Sequence, residues 1–117
     1  MTLSDADRRT IATELERAAA AIGEGNDGKA RVCARRASGV ALRAWLAWKK
    51  QPAGPLDAQS LLKLAADDYG FPGEAKQAAL RLSAAVTEGA GLHSTDPIGD
   101  ANIIIDAVAR LTGRPDA

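Results

Sequence analysis

Asp96-Pro97-Ile98-Gly99-Asp100-Ala101-Asn102-Ile103-Ile104-Ile105-Asp106-Ala107-Val108-Ala109-Arg110-Leu111-Thr112-Gly113 is the stretch whose reading decides the fold. Asp96 is a good N-cap residue. Pro97 suits the first helical position, where its missing N–H is not needed, and Asp100 puts negative charge in the first turn. Ile98, Ala101, Ile104, Ile105, Val108 and Leu111 recur every three or four residues and make one apolar stripe. Gly113, followed by Pro115, stops the run. The spacing predicts a helix over 96–112.

The same grammar extends outward from that helix. Ser4 and Asp7 open a first helix, and Ile11, Leu15, Ala18 and Ile22 line one of its faces. Gly23, Gly25 and Gly28 interrupt it, and a second helix then runs from a cap at Asp27 to Lys50, stopped by Gln51-Pro52-Ala53-Gly54-Pro55. Its inward face is read as Cys33, Ala37, Val40, Ala41, Ala44 and Trp48, with Ala34 and Trp45 beside it. Asp57 caps a short third helix that turns Leu61, Leu64 and Ala65 inward, and a fourth follows Tyr69-Gly70-Phe71-Pro72-Gly73. The expected helices are 4–22, 28–50, 57–68, 73–88 and 96–112. The expected core holds Ile11, Leu15, Val40, Trp48, Leu61, Leu64, Leu82, Ile104 and Val108.

Composition agrees with an all-α reading. Ala, the best helix former, fills about a fifth of the 117 positions, and no period-2 run of Val, Ile and Thr occurs. The expectation is one domain over 1–117, an antiparallel four-helix bundle with one additional short helix. The acidic start Ser4-Asp5-Ala6-Asp7 lacks the apolar run of a secretory signal, and no stretch is apolar for the roughly 20 residues a bilayer requires. A cytoplasmic protein that does not enter the membrane is expected. Cys33 is the only cysteine and His93 the only histidine, so neither a disulfide nor a Cys/His metal centre is expected, and no cofactor.

Net charge is zero, yet Lys29, Arg31, Arg35, Arg36, Arg43, Lys49 and Lys50 lie between Gly28 and Leu56 with no acid among them. Such asymmetry points either to an anionic partner or to an acidic counterpart elsewhere in the chain. Nucleic acid is the weaker version, because the basic face has no aromatic residues for base stacking. Gly23-Glu24-Gly25-Asn26-Asp27-Gly28 spells GxGxxG, and Gly23 to Lys29 spells GxxxxGK. Nucleotide cradles place these glycines after a strand and a hydroxyl residue after the lysine, whereas here a helix precedes the loop and Ala30 follows. What survives is an anion held by the N–H groups of the second helix with Lys29 and Arg31 nearby. The ligand-binding candidates are Lys29, Arg31, Arg35 and Arg36.

No catalytic constellation emerges. His93 has no second histidine or serine–acid pair at working distance in the sequence and reads as a solvent-exposed loop residue. Cys33 reads as packing, and Asp67-Asp68 and Asp100/Asp106 as helix-end and surface charges. On a side of the second helix distinct from its core stripe, Val32, Gly39, Leu42 and Leu46 step by seven, three and four residues, an a/d-like seam. Two copies paired across it as a homodimer is one reading; cover by the third or last helix of the same chain is the other.

The order of these features resembles HEPN domains, the helical bundles of higher eukaryotes and prokaryotes. The resemblance rests on Ala30-Arg31-Val32-Cys33-Ala34-Arg35-Arg36-Ala37 through Trp48, on Gln59-Ser60-Leu61-Leu62-Lys63-Leu64, and on Asp100-Ala101-Asn102-Ile103-Ile104-Ile105-Asp106-Ala107-Val108. It spans roughly Leu15 to Leu111. It implies a helical bundle, dimerisation, and a role as a ribonuclease toxin or beside a nucleotidyltransferase-type partner. Gln59 stands where many members carry His. The ribonuclease branch needs an arginine with four to six residues between it and its histidine; Val86, Thr87 and Glu88 occupy those places before His93, and Arg81 is twelve residues away. The resemblance therefore implies a non-catalytic module acting through homodimerisation or partner docking, with a nucleotide or other anion as ligand. The rival is a divergent RNA-processing enzyme using Arg35, Arg36 and His93.

Overall fold

Five helices account for the regular structure of the computed structural model, which describes residues 3–85 and 93–113. They are α1 Asp5–Gly23, α2 Asp27–Trp48, α3 Ala58–Ala66, α4 Gly73–Ser83 and α5 Pro97–Thr112. No strand occurs among the described residues. The Cα radius of gyration, 13.5 Å, is close to the roughly 13.4 Å expected of a compact chain of this length.

Capping explains most of the boundaries. Ser4 accepts from the Asp7 N–H at 3.0 Å while the Asp7 carboxylate reaches back to the Ser4 N–H, a reciprocal capping box. Asp57 caps α3 through the Ser60 N–H and Asp96 caps α5 through the Gly99 N–H. The glycine-rich loop is a helix–helix joint. Gly25 takes φ +78° one residue past the α1 cap, which lets the Asn26 N–H reach the Ala21 carbonyl and the Gly25 N–H reach Ile22. Asn26, not Asp27, then caps α2 by accepting from the Lys29 N–H.

Three helices end earlier than their sequences suggest, α3 at Ala66 where 68 was expected. The α2 helix stops at Trp48 because Lys50 adopts φ +61° and closes a Schellman turn, with Gln51 donating to Leu46 and Lys50 to Ala47. The α4 helix stops at Ser83, and Ala84 is extended; of the expected last turn, 86–88 lie outside the described residues.

Packing is organised around α2, which touches each of the other four helices. Ala30, Ala34, Ala37 and Ala41 of α2 are fully buried, as are Ala18 and Ala21 of α1 and Ala101 and Ala107 of α5. Small side chains let these helices lie close, and large ones fill the space between them. There Leu42, Trp45 and Leu46 join Leu61, Leu62, Phe71, Leu82, Ile104 and Val108 in one cluster, with the Trp45 and Phe71 rings 4.9 Å apart.

Of the expected core, Ile11, Leu61, Leu82, Ile104 and Val108 are buried, while Leu15, Val40 and Trp48 are half-buried at its edge. Leu64 is an error: it is 36% exposed, and Leu62 is buried in its place. Leu62 and Leu64 flank Leu61 and Ala65 on opposite sides, so a helix of nine residues gives too few repeats to choose between them. Ile22 is also exposed, and Trp45 rather than Trp48 is the deep tryptophan. A central helix is covered over most of its circumference, so a single stripe misplaces its buried arc.

Candidate functional site

Three of the basic residues of α2, Arg31, Arg35 and Arg43, turn out to hold the chain's own carbonyl groups. The Arg35 Nε donates to the Leu82 carbonyl at 2.7 Å and its Nη2 to Ala84 at 3.4 Å. Gln59 donates to the Ser83 carbonyl at 2.6 Å. These are the carbonyls left without helical partners where α4 ends, and cationic donors suit the negative end of a helix. Arg31, one turn before Arg35, donates to the Ser94 carbonyl at 3.4 Å. Arg43 donates to Gly54 and Leu56 in the α2–α3 connection. Lys49 pairs with Asp68 at 2.6 Å and lies over the Trp45 ring.

A second polar cluster fastens the start of α5. Asp100, buried, receives Arg81 through two nitrogens, at 2.6 and 3.3 Å, and the buried Ser94 hydroxyl at 2.6 Å. The Ser94 N–H donates in turn to the Arg81 carbonyl. Asp100 is thus an internal anchor and not the surface charge its sequence position suggested. Donation to the Asp100 carboxylate holds the Arg81 pKa above the ordinary arginine value. Arg35 moves the other way: burial, then repulsion from Arg31, lowers its pKa. Its hydrogen bonds go to neutral carbonyls, and no carboxylate pairs with it among the described residues.

Two clefts border this framework. The first encloses about 590 Å³ open to solvent, where the first turns of α2 and α5 meet; Ile22, Asp27, Arg31, His93, Thr95 and Pro97 line it. His93 is half-buried rather than solvent-exposed, and its Nδ1 is buried without a hydrogen-bond partner among the described residues. The second, about 480 Å³, runs between α1, α2 and α3 and contains Glu14, Arg36 and Arg43.

The ligand candidates are therefore dispersed. Arg31 lines the first cleft and Arg36 the second, Arg35 is occupied at the end of α4, and Lys29 is exposed at the start of α2. Arg36 and His93, two of the three groups of the rival enzyme reading, stand in different clefts. The proposed seam is largely interior: Leu42 and Leu46 are buried, and a Cβ on Gly39 would lie 3.1 Å from the Ala58 Cβ of α3. Only Val32 of the four is exposed. Cover by the chain's own third helix, the alternative reading of that strip, is what the structure shows at Gly39. Cys33 is buried, in keeping with packing.

Sequence reasoning missed Glu14, Ser94 and Thr95, which carry no spacing signal. It also missed the capping use of Arg35 and Gln59, whose targets are carbonyls and so leave no trace in side-chain pattern. Among the described residues no group of three His, Cys, Asp or Glu side chains could hold a metal ion, and no helix is long and apolar enough to cross a membrane. No family model, curated protein or solved structure matches the chain.

Proposed function

We propose that the chain is a cytoplasmic, HEPN-like binding module that holds a small phosphate-type anion in the cleft between the first turns of α2 and α5 and performs no chemistry on it. In this reading α1, α2, α4 and α5 form an antiparallel four-helix frame and α3 is the short addition. The observation that carries the proposal is that Arg31, His93 and Thr95 line one cleft where two helix N-termini meet. Helix N-termini present free N–H groups and the positive end of the dipole, and a neighbouring guanidinium strengthens both. The charge of Arg35 behind Arg31 adds to the local positive potential. Asp27 lines the same cleft and subtracts from it, which sets the expected affinity in the millimolar range.

The test is an NMR titration with inorganic phosphate. Saturable shifts at His93 and Thr95 are expected, lost in Arg31→Gln and kept in Arg36→Gln, whose side chain lines the other cleft. Shifts that fail to saturate, or that Arg36→Gln abolishes as fully as Arg31→Gln, would refute the assignment.

A further inference from the structure

The cleft between α1, α2 and α3 holds a charge arrangement that no side chain among the described residues completes. Glu14 lines it from α1, and its Oε1 is buried with no hydrogen-bond partner among the described residues. Among the described residues its other oxygen has only the Arg17 guanidinium at 3.7 Å, an ion pair too long for a hydrogen bond. A buried carboxylate oxygen without a donor costs more than a neutral acceptor in the same position, and such orphans are rare in folded chains. Across the cleft stand Arg36, for which no polar partner occurs among the described residues, and Arg43, engaged with Gly54 and Leu56. Between the two walls the lining includes Val40, Ala58 and Leu61, an apolar floor.

A lone organic cation would satisfy Glu14 but would face two guanidinium groups. A lone carboxylate would suit Arg36 and face Glu14. A molecule carrying both charges on an aliphatic body answers all three surfaces at once, with its ammonium pairing with the Glu14 carboxylate, its carboxylate accepting from Arg36 and its hydrocarbon on the floor. From this geometry we infer that the α1–α2–α3 cleft binds a small aliphatic zwitterion, an α-amino acid or ω-amino acid, through Glu14 and Arg36. This site is separate from the phosphate cleft at His93, so either assignment can fail without the other.

The experiment compares four probes by NMR of the Val40 and Leu61 methyl groups: L-leucine, 5-aminopentanoate, n-butylammonium and butanoate. At least one zwitterion gives saturable shifts in the millimolar range, with each singly charged probe about tenfold weaker or worse, as expected when one charge-assisted hydrogen bond is lost. Glu14→Gln, with circular dichroism confirming its fold, removes the preference for the zwitterion over butanoate. Arg36→Gln, a change at an exposed side chain, removes the preference over n-butylammonium and serves if Glu14→Gln fails to fold. The inference is overturned if no zwitterion saturates by tens of millimolar, if the singly charged probes bind as well, or if the variants leave the preference unchanged. It is also overturned if a double-mutant cycle on the free protein couples Glu14 to Arg36, because the carboxylate would then be paired within the chain.

Discussion

Arg35→Met tests whether the basic helix is a fastener. The substitution keeps an unbranched apolar stem in place and deletes the guanidinium. It leaves the Leu82 carbonyl, which Arg35 meets at 2.7 Å, and the Ala84 carbonyl, at 3.4 Å, without those donors. A hydrogen bond from a charged donor contributes about 1.5–3 kcal/mol when well formed, and the longer contact adds little. Part of that gain is offset, because the lowered Arg35 pKa reports desolvation and repulsion from Arg31. The expected loss is about 2 kcal/mol, which for a domain of this size corresponds to a fall in Tm of about 8 °C. Urea and thermal unfolding followed by circular dichroism measure it. Arg36→Met, one residue on and exposed, is expected to stay within about 0.5 kcal/mol. A loss at Arg35 below about 0.5 kcal/mol, or one equal to that at Arg36, would show that the α4 carbonyls do not depend on this side chain.

Three further perturbations probe other parts of the structure. Leu62→Ala should cost about 2–5 kcal/mol and Leu64→Ala less than about 1 kcal/mol, since only the first empties a filled site; the reverse order in urea unfolding would mean that α3 is rotated. Lys50→Gly should raise stability by about 1 kcal/mol, because Lys50 sits at φ +61° where a Cβ is crowded; an unchanged or lower Tm would contradict the Schellman turn. For Asp68, burial alone would raise the pKa, but the Lys49 hydrogen bond, the Gly70 N–H and the charges of Lys49 and Lys76 outweigh it and hold it below the ordinary value. A depressed folded-state pKa stabilises the chain above the unfolded value, about 4, and that stabilisation disappears as pH falls through the folded value. Wild type should therefore exceed Asp68→Asn in stability at neutral pH and converge with it in acid; parallel pH profiles would exclude the coupling.

Where local chemistry sets a feature, the sequence was legible. Ser4, Asp57 and Asp96 cap helices at the places their side chains suggest, and Gly25 supplies the left-handed residue that the α1–α2 joint requires. The end of α2 was not legible, because the left-handed position is filled by Lys50 and not by glycine. Nor was the buried arc of α2, since amphipathic periodicity assumes one covered face and α2 is covered by four neighbours. That explains why Val32, Gly39, Leu42 and Leu46 looked like a seam for a second copy. They are spaced like an interface, and for Gly39 the other side of that interface is the chain's own α3.

The charge asymmetry shows the same limit at the level of function. Seven basic residues without an acid between Gly28 and Leu56 invite the inference of an anionic partner, because side-chain sequence records only half of electrostatics. The main chain supplies the other half. Helix ends and tight connections expose carbonyl groups with partial negative charge, and a sequence does not say where they will gather. Here they gather beside α2, so that Arg31, Arg35 and Arg43 meet carbonyls and only Lys49 meets a carboxylate. Carbonyls satisfy hydrogen-bonding capacity without cancelling charge. The fold therefore uses its basic helix as a set of clamps and still leaves positive potential around Arg31, which is why an internal structural role and an anion-binding role can coexist in the same residues.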